Sequence, residues 1–90
     1  MITINDFIKL DGFESVDGGH MIIVKKIMGI HIKEIKEKLD LKEVQINLVK
    51  NDIYSVTVKV SNGKTIEKSA SDKILFTALD KAFKEIKAEL

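Results

Sequence analysis

The side chains of this 90-residue sequence best suited to acid–base, ligating or electrostatic chemistry are two histidines, fifteen lysines and fourteen carboxylates; cysteine and arginine are both absent. Without a thiol there is no disulfide, zinc–thiolate site or cysteine nucleophile. Without arginine there is no bidentate clamp for carboxylate, phosphate or guanine. His20 stands beside Gly18-Gly19, and His31 stands at the edge of an apolar helical stripe. Neither has a second histidine at helical spacing or the flanking carboxylates that a zinc site needs. His31 therefore reads as a residue packed at the core edge. Gly18-Gly19 lacks the further glycine and the lysine-serine/threonine ending of a phosphate loop. The carboxylates are scattered among lysines, as in Lys33 and Glu37, where ordinary helix-surface pairing accounts for them. No catalytic group, metal or cofactor is expected, and the chain reads as a non-enzyme.

The lysines are the better lead. Residues 1–20 hold one lysine against Asp6, Asp11, Glu14 and Asp17, a local charge of −3, which leaves +4 on the other seventy residues of a chain whose net is +1. At about 100° per residue, Lys25, Lys26, Lys33 and Lys36 gather in one sector opposite the apolar stripe of their helix, with Glu34 and Glu37 outside it. Lys73, Lys84 and Lys87 gather on the polar face of a second helix, around Asp80. A basic helix face neutralises phosphates, and lysine, a point charge, does so without regard to base sequence. The plain alternative is a solvated helix face in a lysine-rich proteome. Tyr54, Phe76 and Phe83 follow the apolar pattern and read as core rather than as base-stacking platforms.

The elements that position these lysines follow from periodicity. Ile2 and Ile4 alternate with polar residues as a short strand would, and Phe7, Ile8 and Leu10 supply apolar anchors before Asp11-Gly12 turns the chain. Val24, Ile27, Met28, Ile32, Ile35 and Leu39 recur at three and four, which predicts a helix from about Gly19 to Leu39. The period then changes to two. Val44, Ile46 and Leu48, followed by Tyr54, Val56, Val58 and Val60, predict a hairpin. Asn62-Gly63 predicts a two-residue turn into a third strand from Lys64 to about Ser69. Gln45, Asn47, Ser55, Thr57, Lys59, Thr65 and Glu67 would make the outer face polar, so the helices should cover the other. Ser69 or Ser71 is expected to cap a last helix whose stripe runs Leu75, Ala78, Leu79, Ala82, Phe83, Ile86 and Leu90.

The expected fold is α+β: a two-layer sandwich in the order β-α-β-β-β-α, with a mostly antiparallel sheet of three or four strands and two helices on one face. Residues 1–20 read as an acidic segment with a short strand, and 21–90 as one domain. The longest apolar run, Met21 to Val24, is far short of the roughly 20 residues of a membrane span, and no signal-peptide pattern precedes it. A cytoplasmic location without membrane contact is expected.

Phe76-Thr77-Ala78-Leu79-Asp80, followed by Ala82, Phe83, Ile86 and Leu90, resembles the closing helix of the ribosome hibernation-promoting factor family: an aromatic, two small residues, an aliphatic, an aspartate and an amphipathic tail. The hairpin from Val56 through Asn62-Gly63-Lys64, leading to Ala70, is similar to that family's as well. The resemblance spans roughly residues 24–90. It implies a non-enzymatic protein whose basic residues contact ribosomal or other structured RNA, which in this chain means Lys25, Lys26, Lys33, Lys36, Lys73, Lys84 and Lys87. The chain departs from the family in Ile74, where an acid is usual, in the stretch from Asp11 to Gly19, and in lacking arginine. The element order is also similar to that of a double-stranded RNA-binding domain, but Lys50-Asn51-Asp52 lacks that family's glycine-proline-x-histidine loop. A second class of function, an interaction protein acting as a homodimer through an edge strand or the Met21–Val24 region, stands beside the RNA reading.

Overall fold

The computed structural model describes residues 2–4 and 7–90. Its elements are β1 (Ile2–Ile4), β2 (Ile8–Asp11), α1 (Gly18–Lys36), β3 (Glu43–Lys50), β4 (Tyr54–Ser61), β5 (Thr65–Asp72) and α2 (Leu75–Ala88). The strands form one sheet in the order β1-β2-β3-β4-β5, antiparallel throughout except that β2 and β3 run parallel. The α+β class holds, but the sheet has five strands rather than three or four. The additional strand is β2: Ile8 and Leu10, which read from the sequence as loose anchors, alternate with Lys9 and lie opposite Val44 and Ile46. A four-residue strand is too short to announce itself by periodicity, yet both residues are buried.

The inner face of the sheet is a continuous valine, isoleucine and leucine surface. Val44, Ile46, Leu48, Val56, Val58 and Val60 meet Val24, Met28, Ile32 and Ile35 of α1 and Leu79, Ala82, Phe83 and Ile86 of α2, all buried. Each large side chain so buried contributes about 1.5–3 kcal/mol. Phe13, in the connection between β2 and α1, is also fully buried.

Two local expectations are corrected. The hairpin between β4 and β5 pairs Ser61 with Thr65, leaving three residues in the connection instead of two, with Gly63 at φ 97°. A two-residue loop would shift the register by one and turn Ile66 and Ala70 away from the core; facing Val60 and Val56, they stay inside. Ser69 and Ser71 do not cap α2. They lie in β5 on the open face, where Thr57 and Ser69 hydroxyls hydrogen-bond at 2.8 Å and Ser55 and Ser71 at 3.0 Å. Asp72 takes over at the helix entrance, its Oδ1 accepting from Ile74 N–H at 3.0 Å. At α1, Asp17 is the N-cap, accepting from His20 N–H at 2.9 Å.

The helices run parallel. Phe76 stacks on His20, Asp80 and Phe83 meet His31, and Lys87 reaches Glu34, so successive turns of α2 meet successive turns of α1. No helix among the described residues is long and apolar enough to cross a membrane.

Candidate nucleic-acid interface

The outer face of α1 follows from its inner one. With Val24, Met28, His31, Ile32 and Ile35 buried, residues on the far side point to solvent, and Lys25, Lys26, Lys33 and Lys36 are all exposed. No carboxylate among the described residues lies within ion-pairing distance of these four. Lys36 leans over the ring of Phe7, with Nζ 4.3 Å from the centroid, a cation–π contact that holds the ammonium without neutralising it. Lys33 and Lys36 also lie in the last turn of α1, where the helix dipole favours positive charge.

The three lysines of the α2 region divide. Lys73, in the short segment before the helix, is exposed and has no carboxylate partner among the described residues. Lys84 pairs with Asp80 at 2.9 Å, and Lys87 is half-buried and bonds Glu34 across the helix–helix seam at 3.0 Å. The Lys87 ammonium holds the Glu34 carboxyl below its ordinary range. These two lysines are tied to neighbours that define the helix packing, whereas Lys25, Lys26, Lys33, Lys36 and Lys73 are free to meet an external anion.

Some features escaped sequence reasoning. Ile22 and Ile30, each about 60% exposed, lie on or beside the lysine sector, so the outer face of α1 is basic with apolar interruptions rather than purely basic. The helical wheel carried that signal, since Ile22 projects between Lys36 and Lys33. A cavity of about 540 Å³ opens where the amino ends of both helices meet the carboxyl end of β3, lined among others by Asp17, His20, Lys50, Tyr54, Lys73 and Phe76. Lys50 lies 5.1 Å from the Tyr54 ring centroid. This grouping joins residues far apart in sequence and had no linear signature. Asp80 was placed among solvent lysines by the wheel; in the fold it reaches inward as well, to His31. No group of three metal-ligating side chains occurs among the described residues.

No protein-family model matches the chain, and no curated protein matches it. Among solved structures, the N-terminal domain of Protein Y from Thermus thermophilus superimposes with a TM-score of 0.68 at 13% identity, covering 92% of this chain and 91% of that one. A ribosomal subunit interface protein from Coxiella burnetii superimposes with a TM-score of 0.71 at 12% identity, covering 93% and 92%. At such identities the likeness is one of fold, and it extends over nearly the whole of each chain. The fold implied by the family resemblance in the closing helix and hairpin is thus the fold observed.

Proposed function

We propose that this protein is a non-enzymatic, cytoplasmic binder of the ribosome or of structured RNA, which lays the outer face of α1 along a phosphate backbone. The observation that carries the reading is the set of four exposed lysines, without carboxylate partners among the described residues, on one face of a helix whose other face is locked into the core. From Lys25 to Lys36 the helix rises about 16 Å, a span over which a duplex presents roughly ten phosphates. Lys73, at the amino end of α2, is a further contact. The shared fold with a ribosomal subunit interface protein supports the ribosome as the source of that RNA.

Lysine-only contacts make the binding electrostatic and nearly independent of sequence. Fluorescence anisotropy with a structured RNA hairpin and with scrambled hairpins of equal length tests this. Similar affinities that fall together with rising salt support the reading; binding that is insensitive to salt contradicts it.

A further inference from the structure

The sheet ends at β5, which pairs with β4 over its whole length, from Ser61–Thr65 to Tyr54–Asp72, without a bulge and, among the described residues, with no strand on its other side. The backbone bonds at the two β4 ends fix which groups are left free. Asn62 N–H donates to Lys64 C=O at 3.0 Å, and Asn51 N–H donates to Ile53 C=O at 3.1 Å. By antiparallel alternation, Ile66, Lys68, Ala70 and Asp72 spend their backbone groups on β4, whereas Thr65, Glu67, Ser69 and Ser71 direct theirs out of the sheet.

Edge strands are commonly guarded by proline, a bulge or charged side chains, inward-pointing ones among them. The chain has no proline, and the two inward charges of β5 are neutralised by α2: Lys68 pairs with Glu89 at 2.8 Å and Asp72 with Lys81 at 2.8 Å. With both inward charges held in pairs inside the subunit, the edge is left to a strand of matching pattern, and β5 matches itself.

Antiparallel pairing of two β5 strands about a two-fold axis normal to the sheet allows registers centred on successive residues. Centring on Glu67 or Lys68 sets like charge directly against like. Centring on Ser69 sets Asp72 against Ile66, and centring on Ser71 sets Asp72 against Ala70. Centring on Ala70 sets Lys68 opposite Asp72 and Ser69 opposite Ser71, each twice by symmetry. The chain bends at Lys73 and Ile74, where Ile74 N–H bonds Asp72 Oδ1 and Ile74 C=O accepts from Ala78 N–H of α2, so the ladder ends at Asp72. In this register Ser69 and Ser71, whose backbone groups point outward, form the hydrogen-bonded pairs.

We propose that two copies of this chain associate through β5, in antiparallel register centred on Ala70, as one ten-stranded sheet. All four helices then lie on one side, and both α1 lysine faces belong to a single assembly.

The chain contains no cysteine, so Ala70→Cys reports the axis alone. At a non-hydrogen-bonded antiparallel pair the Cβ atoms lie about 4.5–5.5 Å apart, close enough for a disulfide after small adjustment. Under mild oxidation this variant is expected to form a covalent dimer faster than Val49→Cys, which is exposed on β3 away from the axis. Sedimentation velocity up to about 1 mM is expected to show wild-type dimer, since edge pairing buries an area in the weak class, below about 1,200 Å². Ser69→Pro, which removes an outward N–H that the pairing with β4 does not use, should weaken the dimer about tenfold. A wild-type monomer throughout this range, no cross-linking advantage for Ala70→Cys, or a Ser69→Pro dimer as tight as the wild type would overturn the proposal. RNA affinity of the Ser69→Pro variant, which leaves every charge in place, reads the two proposals apart.

Discussion

His31 Nε2 lies 2.7 Å from Asp80 Oδ1, joining α1 to α2 at the point where the imidazole stacks on Phe83, ring centroids 5.1 Å apart. A carboxylate only accepts, so Nε2 donates, and Nδ1 is left buried with no hydrogen-bond partner among the described residues. The Lys84 ammonium first, and His31 second, hold the Asp80 carboxyl below its ordinary value of 3.8.

Removing that acceptor leaves both ring nitrogens of a buried histidine unsatisfied. Asp80→Ala is expected to destabilise the fold by about 1–3 kcal/mol at pH 7, measured by urea denaturation. His31→Phe in the same background, which keeps the stack and removes the polar atoms, should recover part of the loss. An Asp80→Ala variant as stable as the wild type contradicts the role given to this pair.

The pH dependence has a definite sign. A carboxyl with a depressed folded pKa stabilises fully above its unfolded value and loses that contribution as pH falls through the folded one. For Asp80 the loss therefore comes below pH 3.8. Asp80→Asn should flatten the decline of stability with acid in that window, followed by thermal unfolding from pH 5 down to pH 2. An unchanged acid limb argues against a depressed Asp80.

Gly12 and Gly63 both have positive φ, 84° and 97°, but their surroundings differ. A Cβ on Gly12 would stand 2.0 Å from the Leu48 carbonyl oxygen, whereas around Gly63 there is open space. Gly12→Ala should cost about 2–4 kcal/mol, combining left-handed strain with backbone overpacking, and Gly63→Ala only about 1–2 kcal/mol. Equal urea midpoints for the two variants would contradict the close approach of the β2–α1 connection to β3.

Lysines tied into the fold and lysines left free should separate in mutagenesis. Lys87→Ala removes a bond across the helix seam, so it should lower the urea midpoint more than its RNA affinity. Lys26→Ala and Lys33→Ala should weaken RNA binding and leave the midpoint unchanged. The reverse pattern would move the interface from α1 to α2.

The parts of the fold legible in sequence were those with a long, single period. The stripe from Val24 to Ile35, the alternation from Val44 to Val60 and the stripe from Leu75 to Ile86 each repeat enough times to reveal element, face and core. What was not legible depended on partners distant in the chain. Ile8 and Leu10 become a strand because Val44 and Ile46 lie beside them. Ser69 and Ser71 carry the local preference of helix caps, but the need to bury Ile66 and Ala70 carries β5 through to Asp72. Asp80 is an amphipathic-helix surface residue on the wheel, and only the parallel packing of the helices brings His31 to it. For the candidate interface, the lysine grouping on α1 was readable from helical geometry, but which lysines are consumed by internal ion pairs was not.

The proposed RNA binding rests on the free lysine face of α1, and cosedimentation with ribosomes across a salt series, for the wild type and for Lys26→Glu, Lys33→Glu and Lys36→Glu combined, tests it most directly. Five lysine–phosphate contacts predict that log K falls with log salt at a slope of about −4 to −5, a roughly 500-fold loss between 50 and 200 mM, with the triple variant shallower at about −2 and much weaker at low salt. Wild-type cosedimentation that is absent at 50 mM salt, or that the triple substitution leaves unchanged in affinity and slope, would contradict it.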